Sequence, residues 1–256
     1  MSDNTKKKGV GDITSIAKVR YTVDEQNLVC PEVEPSVETQ DQNVSHKLFR
    51  IRLADTADGR NSASMLIDKM YSWRGYSTAK TIREGINQIT LTATEDHTVI
   101  GTISLNIDSP AGLQADETFK DEINIIRNRG GKVCEFTKLA FDPGIRLKQV
   151  LASVFHVAFI YARYIQKCTD LFIEVNPRHR RYYEGMLGFK RQGDVKSNPR
   201  VNAPAVLLWL DLDYAEQQIH KLGGTSKSSG SEKSFYPYFF SPREEEGIIN
   251  RLLQIN

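Results

Sequence analysis

The stretch "EFTKLAFDPGIRLKQVLASVF", residues 135–155, limits this 256-residue chain more than any other. An apolar strand over 133–141 runs into Asp142-Pro143-Gly144, a tripeptide that breaks regular structure and turns the chain. Beyond it Leu147, Val150, Leu151, Val154, Ala158 and Tyr161 recur at helical spacing, which predicts a helix over 145–167. The middle of that helix is apolar nearly all round, so it must be covered on every side. A strand feeding so deeply buried a helix calls for a sheet with helices packed over it.

The rest of the body fits that plan. "HKLFRIRLA" is strand-like, and "NSASMLIDKMY" is helical, with Met65, Ile67, Met70 and Tyr71 on one side. "INQITLTATEDHTVIGTISLNID" reads as two alternating strands joined by the polar turn Glu95-Asp96-His97. "ADETFKDEINIIRNRGG" has an acidic start, an apolar stripe of Phe119, Ile123 and Ile126, and a glycine stop. "DLFIEVN" is a buried strand, "PRHRRYYEGML" a short helix opened by proline, and "APAVLLWLDL" the last strand. The order β-α-β-β-α-β-α-β-α-β predicts an α/β fold with a mixed central sheet and helices on both faces.

The flanks differ. Residues 1–45 are polar with no sustained period, which predicts a disordered segment before a domain over 46–222. "GGTSKSSGSEKS", residues 223–234, is a flexible linker by composition. It leads to an aromatic segment, 235–256, in which "FYPYFF" precedes a short helix with Ser241 at its N-cap and Pro242 in its first turn. That segment is expected to pack on the body or on a second subunit.

Composition narrows the function. With 39% hydrophobic residues the chain can bury one substantial core. A net charge of +2, with no basic stripe interleaved with aromatics, argues against nucleic-acid binding. Cys30, Cys134 and Cys168 are odd in number and widely spaced, which favours reduced thiols in the cytosol over disulfides or a zinc site. His46, His97 and His220 show no metal spacing, and His156 on the apolar helix reads as a core histidine. No apolar leader is visible, and the apolar run 150–162 is too short for a bilayer. A soluble cytoplasmic protein is expected.

The element order, together with Asn176-Pro177, Tyr182-Tyr183 and Gly188-Phe189 after the fifth strand, resembles the GNAT acyltransferase fold. Five segments sharpen the likeness: "RIRLADTADGRNSASMLIDKMYSWRGY", "GTISLNIDSPAGL", "CEFTKLAFDP", "VNPRHRRYYEGMLGF" and "VNAPAVLLWLDL". They resemble the FeeM-type long-chain N-acyl amino acid synthases, relatives of the LuxI-type acyl-homoserine lactone synthases. The likeness runs from Phe49 to Leu212 and covers neither tail. It implies transfer of a long-chain fatty acyl group from acyl carrier protein to the amino group of an amino acid. An acyl-homoserine lactone synthase, or a non-catalytic GNAT-fold module that binds acyl chains or carrier protein, are the alternatives.

One departure from the wider fold has a physical meaning. GNAT enzymes that use coenzyme A carry R/Q-x-x-G-x-G/A, whose backbone N–H groups hold the pyrophosphate. Aligned on Arg146, this chain has Gln149 and Leu151 at the glycine positions, where side chains crowd the close approach. A carrier protein presents its thioester on phosphopantetheine, with one phosphate to hold. Acyl-phosphopantetheine is therefore the expected donor ahead of acyl-CoA, with no permanently bound cofactor.

Acyl transfer to an amine needs a base, an oxyanion donor and a proton for the leaving thiolate. Glu135 sits in an apolar strand, where it reads either as a structural ion pair, with Lys138 across a bulge, or as the general base. LuxI-type enzymes have a glutamate at this point of an E-x-x-R-F signature, but Lys138 and Leu139 replace its arginine and phenylalanine here. The fold likeness implies oxyanion donors at the backbone N–H groups of Leu139 and Ala140, and a thiolate-protonating tyrosine at Tyr183, which reads equally as a packing residue. His179, near a helix start where the macrodipole disfavours imidazolium, is a candidate hydrogen-bond partner for pantetheine or an exposed surface residue. It belongs with Asn176, Arg146, Lys148, Arg178, Arg180 and Arg181 to a proposed donor side, whose cations, joined by Lys190 and Arg191, form a basic rim suited to an acidic carrier protein. Tyr71, Trp73 and Tyr76 correspond to an aromatic substrate-site segment in the LuxI-type relatives, or pack the core.

Overall fold

A computed structural model describes residues 15–23, 45–72, 87–142, 148–226 and 232–255. Its strands are β1 (Ser15–Val23), β2 (Ser45–Leu53), β3 (Gln88–Glu95), β4 (Thr98–Ile107), β5 (Val133–Phe141), β6 (Asp170–Val175), β7 (Lys190–Asn198) and β8 (Ala203–Asp211). They form one sheet in the order β1-β2-β3-β4-β5-β6-β8-β7. Only the β5–β6 pair at its centre is parallel.

The helices are α1 (Ala57–Ser72), α2 (Asp116–Arg127), α3 (Lys148–Ile160), α4 (Arg180–Leu187), α5 (Leu212–Leu222) and α6 (Pro242–Ile255). They cover both faces, as the sequence pattern implies. α1 packs Ala63, Leu66 and Ile67 on Ala140 of β5, and α2 packs Phe119, Ile123 and Ile126 with Val133, Phe172 and Leu207. The opposite face carries α3, α5 and α6 in the main core. α3 buries Val150 and every residue from Ala152 to Ile160, which accounts for its all-round apolar sequence. Each large aliphatic or aromatic side chain removed from water there contributes about 1.5–3 kcal/mol. A π-helical turn, Tyr161–Ile165, ends the helix. No helix among the described residues is long and apolar enough to cross a membrane.

Three elements depart from the sequence reading. The segment 1–45, expected to be disordered, contributes β1, with Ile16, Ala17 and Val19 buried. "SIAKVRYTV" alternates over only nine residues among polar neighbours, and its stability comes from pairing with β2 and from α6, whose Arg251 Nε donates to the Ile16 carbonyl at 2.7 Å. Residues 1–14 and 24–44 lie outside the described residues. β7, "KRQGDVKSN", has almost no apolar content and is strand because β8 offers it an edge. α5 follows β8 without a break; Asp211 ends the strand and caps the helix by accepting from the Asp213 N–H at 2.8 Å.

The aromatic C-terminal segment packs on the body. Phe235, Tyr236, Phe239 and Phe240 are buried, and α6 adds Ile248 and Leu252. Glu244 accepts from both the backbone N–H and the hydroxyl of Ser241, which ties the helix start to the residue before it. The expected linker is anchored at its beginning, where the Gly224 N–H donates to the Phe239 carbonyl at 2.9 Å. Its residues 227–231 lie outside the described residues.

Candidate active site

The parallel pair at the centre of the sheet does not stay paired. Its rungs run from Val133 and Asp170 to Phe136 and Ile173, and there the ladder ends. β6 continues on β8 to Val175, whereas β5 continues on β4 to Phe141. The backbone of 137–141 is thus left without a strand on its β6 side, at the carboxyl ends of two parallel strands, where α/β sheets gather their ligands.

A bulge sits at this point. Ala140 pairs with Thr102 and Thr137 with Ser104, so β5 takes three steps against two in β4. Lys138 absorbs the extra residue with φ of 52°, a left-handed conformation that costs a non-glycine residue energy and persists where neighbours hold it. Two neighbours do: the Thr102 hydroxyl donates to the Lys138 carbonyl at 2.9 Å, and the Tyr71 hydroxyl from α1 donates to the Leu139 carbonyl at 3.2 Å. With those carbonyls fixed, the orientation of the adjoining peptide N–H groups, including that of Ala140, is fixed as well. Lys138 has no ion-pair partner among the described residues, and burial lowers its pKa.

The ion pair considered between Glu135 and Lys138 does not form. Glu135 is 1% exposed, on the face covered by α2. Its Oε2 accepts from the Gln114 N–H at 2.7 Å and from Asn106 Nδ2 at 3.4 Å, while Oε1 accepts no hydrogen bond among the described residues. Asn106 is itself oriented by Gln88 Nε2, at 2.6 Å, and by the Thr137 hydroxyl oxygen. Burial pushes the Glu135 carboxyl up to about 7, although the Gln114 and Asn106 bonds and the Arg200 charge favour its ionised form; nearby Glu174 pushes it further up.

Sequence reasoning passed over the rest of this cluster. Phe172 pairs with Glu135 across β5 and β6, so Glu174, two residues on, shares its face. Glu174, with its side chain 7% exposed, takes Arg200 Nη2 at 2.5 Å and a short bond from Asn198 Nδ2. Arg200 also reaches the Gln114 carbonyl and Glu117 Oε2, the latter at 3.2 Å. The peptide group around Gln114 is thereby gripped from both sides. Glu174 had a signal of the same kind as Glu135, a carboxylate in an apolar strand; Arg200, in the turn between β7 and β8, had none.

The other candidates lie on the opposite face or at the rim. Tyr183 on α4 packs against the main core, edge-on to Phe189 at 6.1 Å and to Tyr182 at 5.4 Å. Gly188, with φ of 79°, ends α4 and turns Phe189 into the core. The structure therefore puts Glu135 and Tyr183 on opposite faces of the sheet, whose central strands part beyond Phe136. Asn176 caps the following turn, accepting from the Arg178 N–H at 3.2 Å. Arg178 Nε donates to His179 Nε2 at 3.1 Å, an arrangement that needs that nitrogen unprotonated. Arg180 pairs with Glu184 and Arg191 with Asp194, whereas exposed Arg181 has no acidic partner among the described residues. Lys148 lies over the Tyr238 ring and Lys190 over Trp209. Arg146, Trp73 and Tyr76 lie outside the described residues.

A mixed sheet parted between its parallel strands, with a bulge beside the gap, is the fold expected of the GNAT acyltransferases. The family model described as N-acyl amino acid synthase FeeM matches residues 62–211, more than half of the chain, and the chain belongs to this family. Among solved structures it is similar to FeeM, an N-acyl amino acid synthase from uncultured soil microbes, at 26% identity and a TM-score of 0.59 over 66% of this chain and 93% of that one. An acyl-CoA N-acyltransferase from Pseudomonas aeruginosa matches at 13% identity and a TM-score of 0.46, over 63% of this chain and 97% of that one. Escherichia coli ElaA matches at 6% and 0.48, over 64% and 98%. No curated protein matches the sequence.

Proposed function

We propose that this synthase moves a long-chain acyl group from acyl carrier protein to the amino group of an amino acid, with Glu135 as its base. The observation that carries this reading is the Glu135 carboxyl itself: poised near neutrality, fixed through Oε2, and open at Oε1, three residues before the bulge residue Lys138. Oε1 takes a proton from the incoming ammonium group through a water molecule, since Glu135 is buried. The freed amine attacks the thioester carbonyl, and the N–H groups of Leu139 and Ala140 receive the oxyanion. The intermediate collapses with loss of the phosphopantetheine thiolate, which takes a proton from the Tyr183 hydroxyl, while the proton still carried by the attacking nitrogen is released and restores the tyrosine, and the neutral amide and free thiol are complete. Tyr71 and Lys138 border the acceptor side, Tyr71 through its bond to the Leu139 carbonyl.

The choice of carrier protein over coenzyme A is supported by Gln149 and Leu151 in the first turn of α3, where a pyrophosphate loop needs glycine. It is supported too by Arg178 and Arg181, exposed after the carboxyl end of β6. Purified protein should show a much higher kcat/KM with long-chain acyl carrier protein than with the matching acyl-CoA, and equal or better use of acyl-CoA would overturn the assignment. Reversing Arg178, Arg180 and Arg181 to glutamate should remove the fall of kcat/KM with salt, because steering is screened over about 8 Å at physiological ionic strength. With a small pantetheine thioester, which has no protein surface to dock, variant and wild type should perform alike. Equal impairment on both donors would place these arginines in the fold or the site.

A further inference from the structure

Two side-chain hydroxyls hold the bulge in β5 from behind. The Thr102 hydroxyl of β4 donates to the Lys138 carbonyl at 2.9 Å, and the Tyr71 hydroxyl of α1 donates to the Leu139 carbonyl at 3.2 Å. The Lys138 carbonyl and the Leu139 N–H belong to one planar trans peptide and lie on opposite edges of it. In the sheet, β5 runs between β4 and β6. With its carbonyl held on the β4 side, that peptide directs the Leu139 N–H to the other side, where pairing with β6 has ended at Phe136.

We propose that Thr102 and Tyr71 are positioning residues of the reaction, holding the bulge so that the Leu139 N–H meets the oxyanion. The inference rests on the acyl-transfer reading above. Thr102 is wholly buried in a central strand, opposite Ala140. A valine would fill that place with equal strand preference and no polar group to bury. Packing therefore does not call for the hydroxyl, and the bond it makes is to the carbonyl behind the donor. A hydroxyl donating to a carbonyl also polarises the N–H of the same peptide, which strengthens it toward a developing negative charge.

The left-handed conformation of Lys138, with φ of 52°, explains why the bulge needs such holding. A lysine pays energy for that conformation and keeps it only while its surroundings enforce it. Thr102 fixes the carbonyl of Lys138 itself, and Tyr71 fixes the next one along the chain. A donor held in place before the reaction stabilises the oxyanion without reorganising, whereas a loosened one must first be reordered.

The test compares purified full-length variants with hexadecanoyl-loaded acyl carrier protein and whichever common amino acid the wild type acylates fastest. Thr102→Val keeps the shape and should lower kcat by about tenfold, short of the roughly 10²–10³-fold lost with an oxyanion donor itself. KM for the amino acid and for the carrier protein should stay within about twofold, the pattern of an interaction made only in the transition state. The rise of rate with pH should keep its midpoint, because Glu135 and its donors Gln114 and Asn106 are untouched. Thr102→Ser restores the hydroxyl and should recover most of kcat. If Thr102→Val fails to fold, as judged by circular dichroism, Tyr71→Phe removes the second hydroxyl and should show the same lower kcat with an unmoved pH midpoint. Full kcat in the folded variant overturns the positioning role. So does a loss that raises KM for the amino acid, moves the pH midpoint, or is not recovered by serine at 102. Absence of any acylated product from the folded wild type overturns instead the acyl-transfer reading beneath it.

Discussion

Glu135→Gln should lower kcat by about 10²–10⁴-fold, the usual contribution of a general base, while making the protein more stable at neutral and alkaline pH. The substitution preserves both hydrogen bonds, because Gln114 and Asn106 donate to the same oxygen and an amide oxygen can stand in its place. The folded-state carboxyl is raised from 4.5 to about 7. Between those values the folded protein holds a proton that the unfolded chain has released. Wild-type stability therefore falls as pH rises through that window, and above it the buried ionised carboxylate costs on the order of 3 kcal/mol. Glutamine removes that cost, so its melting temperature should exceed that of wild type at about pH 8 and match it below about pH 4. In the wild type kcat/KM should rise with pH and level off above about 7, where the base is free. Near-normal turnover of Glu135→Gln across that range would reassign Glu135 to a structural role.

The second large effect is expected at Arg200. Arg200→Met leaves Glu174 buried without its cation and releases the Gln114 carbonyl that keeps Glu135's donor in place. Removing one partner of a buried pair typically costs about 3–5 kcal/mol; with the Arg200 side chain 19% exposed, about 3 kcal/mol is expected. Urea unfolding should show it as a lower midpoint with unchanged slope. With the cation gone, two carboxylates share one face, so the Glu135 carboxyl rises further. The acid limb of the rate profile should move to higher pH, and the stability deficit should shrink as pH falls. A loss of stability with an unmoved rate profile would confine Arg200 to the scaffold.

What the sequence made legible follows from how local each signal is. The apolar helix α3 and the glutamate in β5 announce themselves within a few residues, since a buried helix is apolar all round and a buried carboxylate breaks an apolar run. β7 carries no such mark: most of its residues are exposed, and pairing with β8 makes it a strand. β1 was hidden in the same way, its alternation lost among polar neighbours. The Glu135 environment joins β4, the start of α2, β6 and the β7–β8 turn, residues 106 to 200, and only the sheet order brings these together. The Lys138 ion pair, one of the two readings open for Glu135, is absent for a geometric reason. Glu135 lies on the α2 face and meets a backbone N–H there, while the bulge puts Lys138 in a left-handed conformation of its own.

The most direct measurement is product analysis with purified full-length protein, long-chain acyl carrier protein and a mixture of the common amino acids. Mass spectrometry should find an N-acyl amino acid, with carrier thiol released in equal amount. Release of thiol without amide, or an acyl-homoserine lactone as the product when S-adenosylmethionine is supplied alongside, would contradict the account.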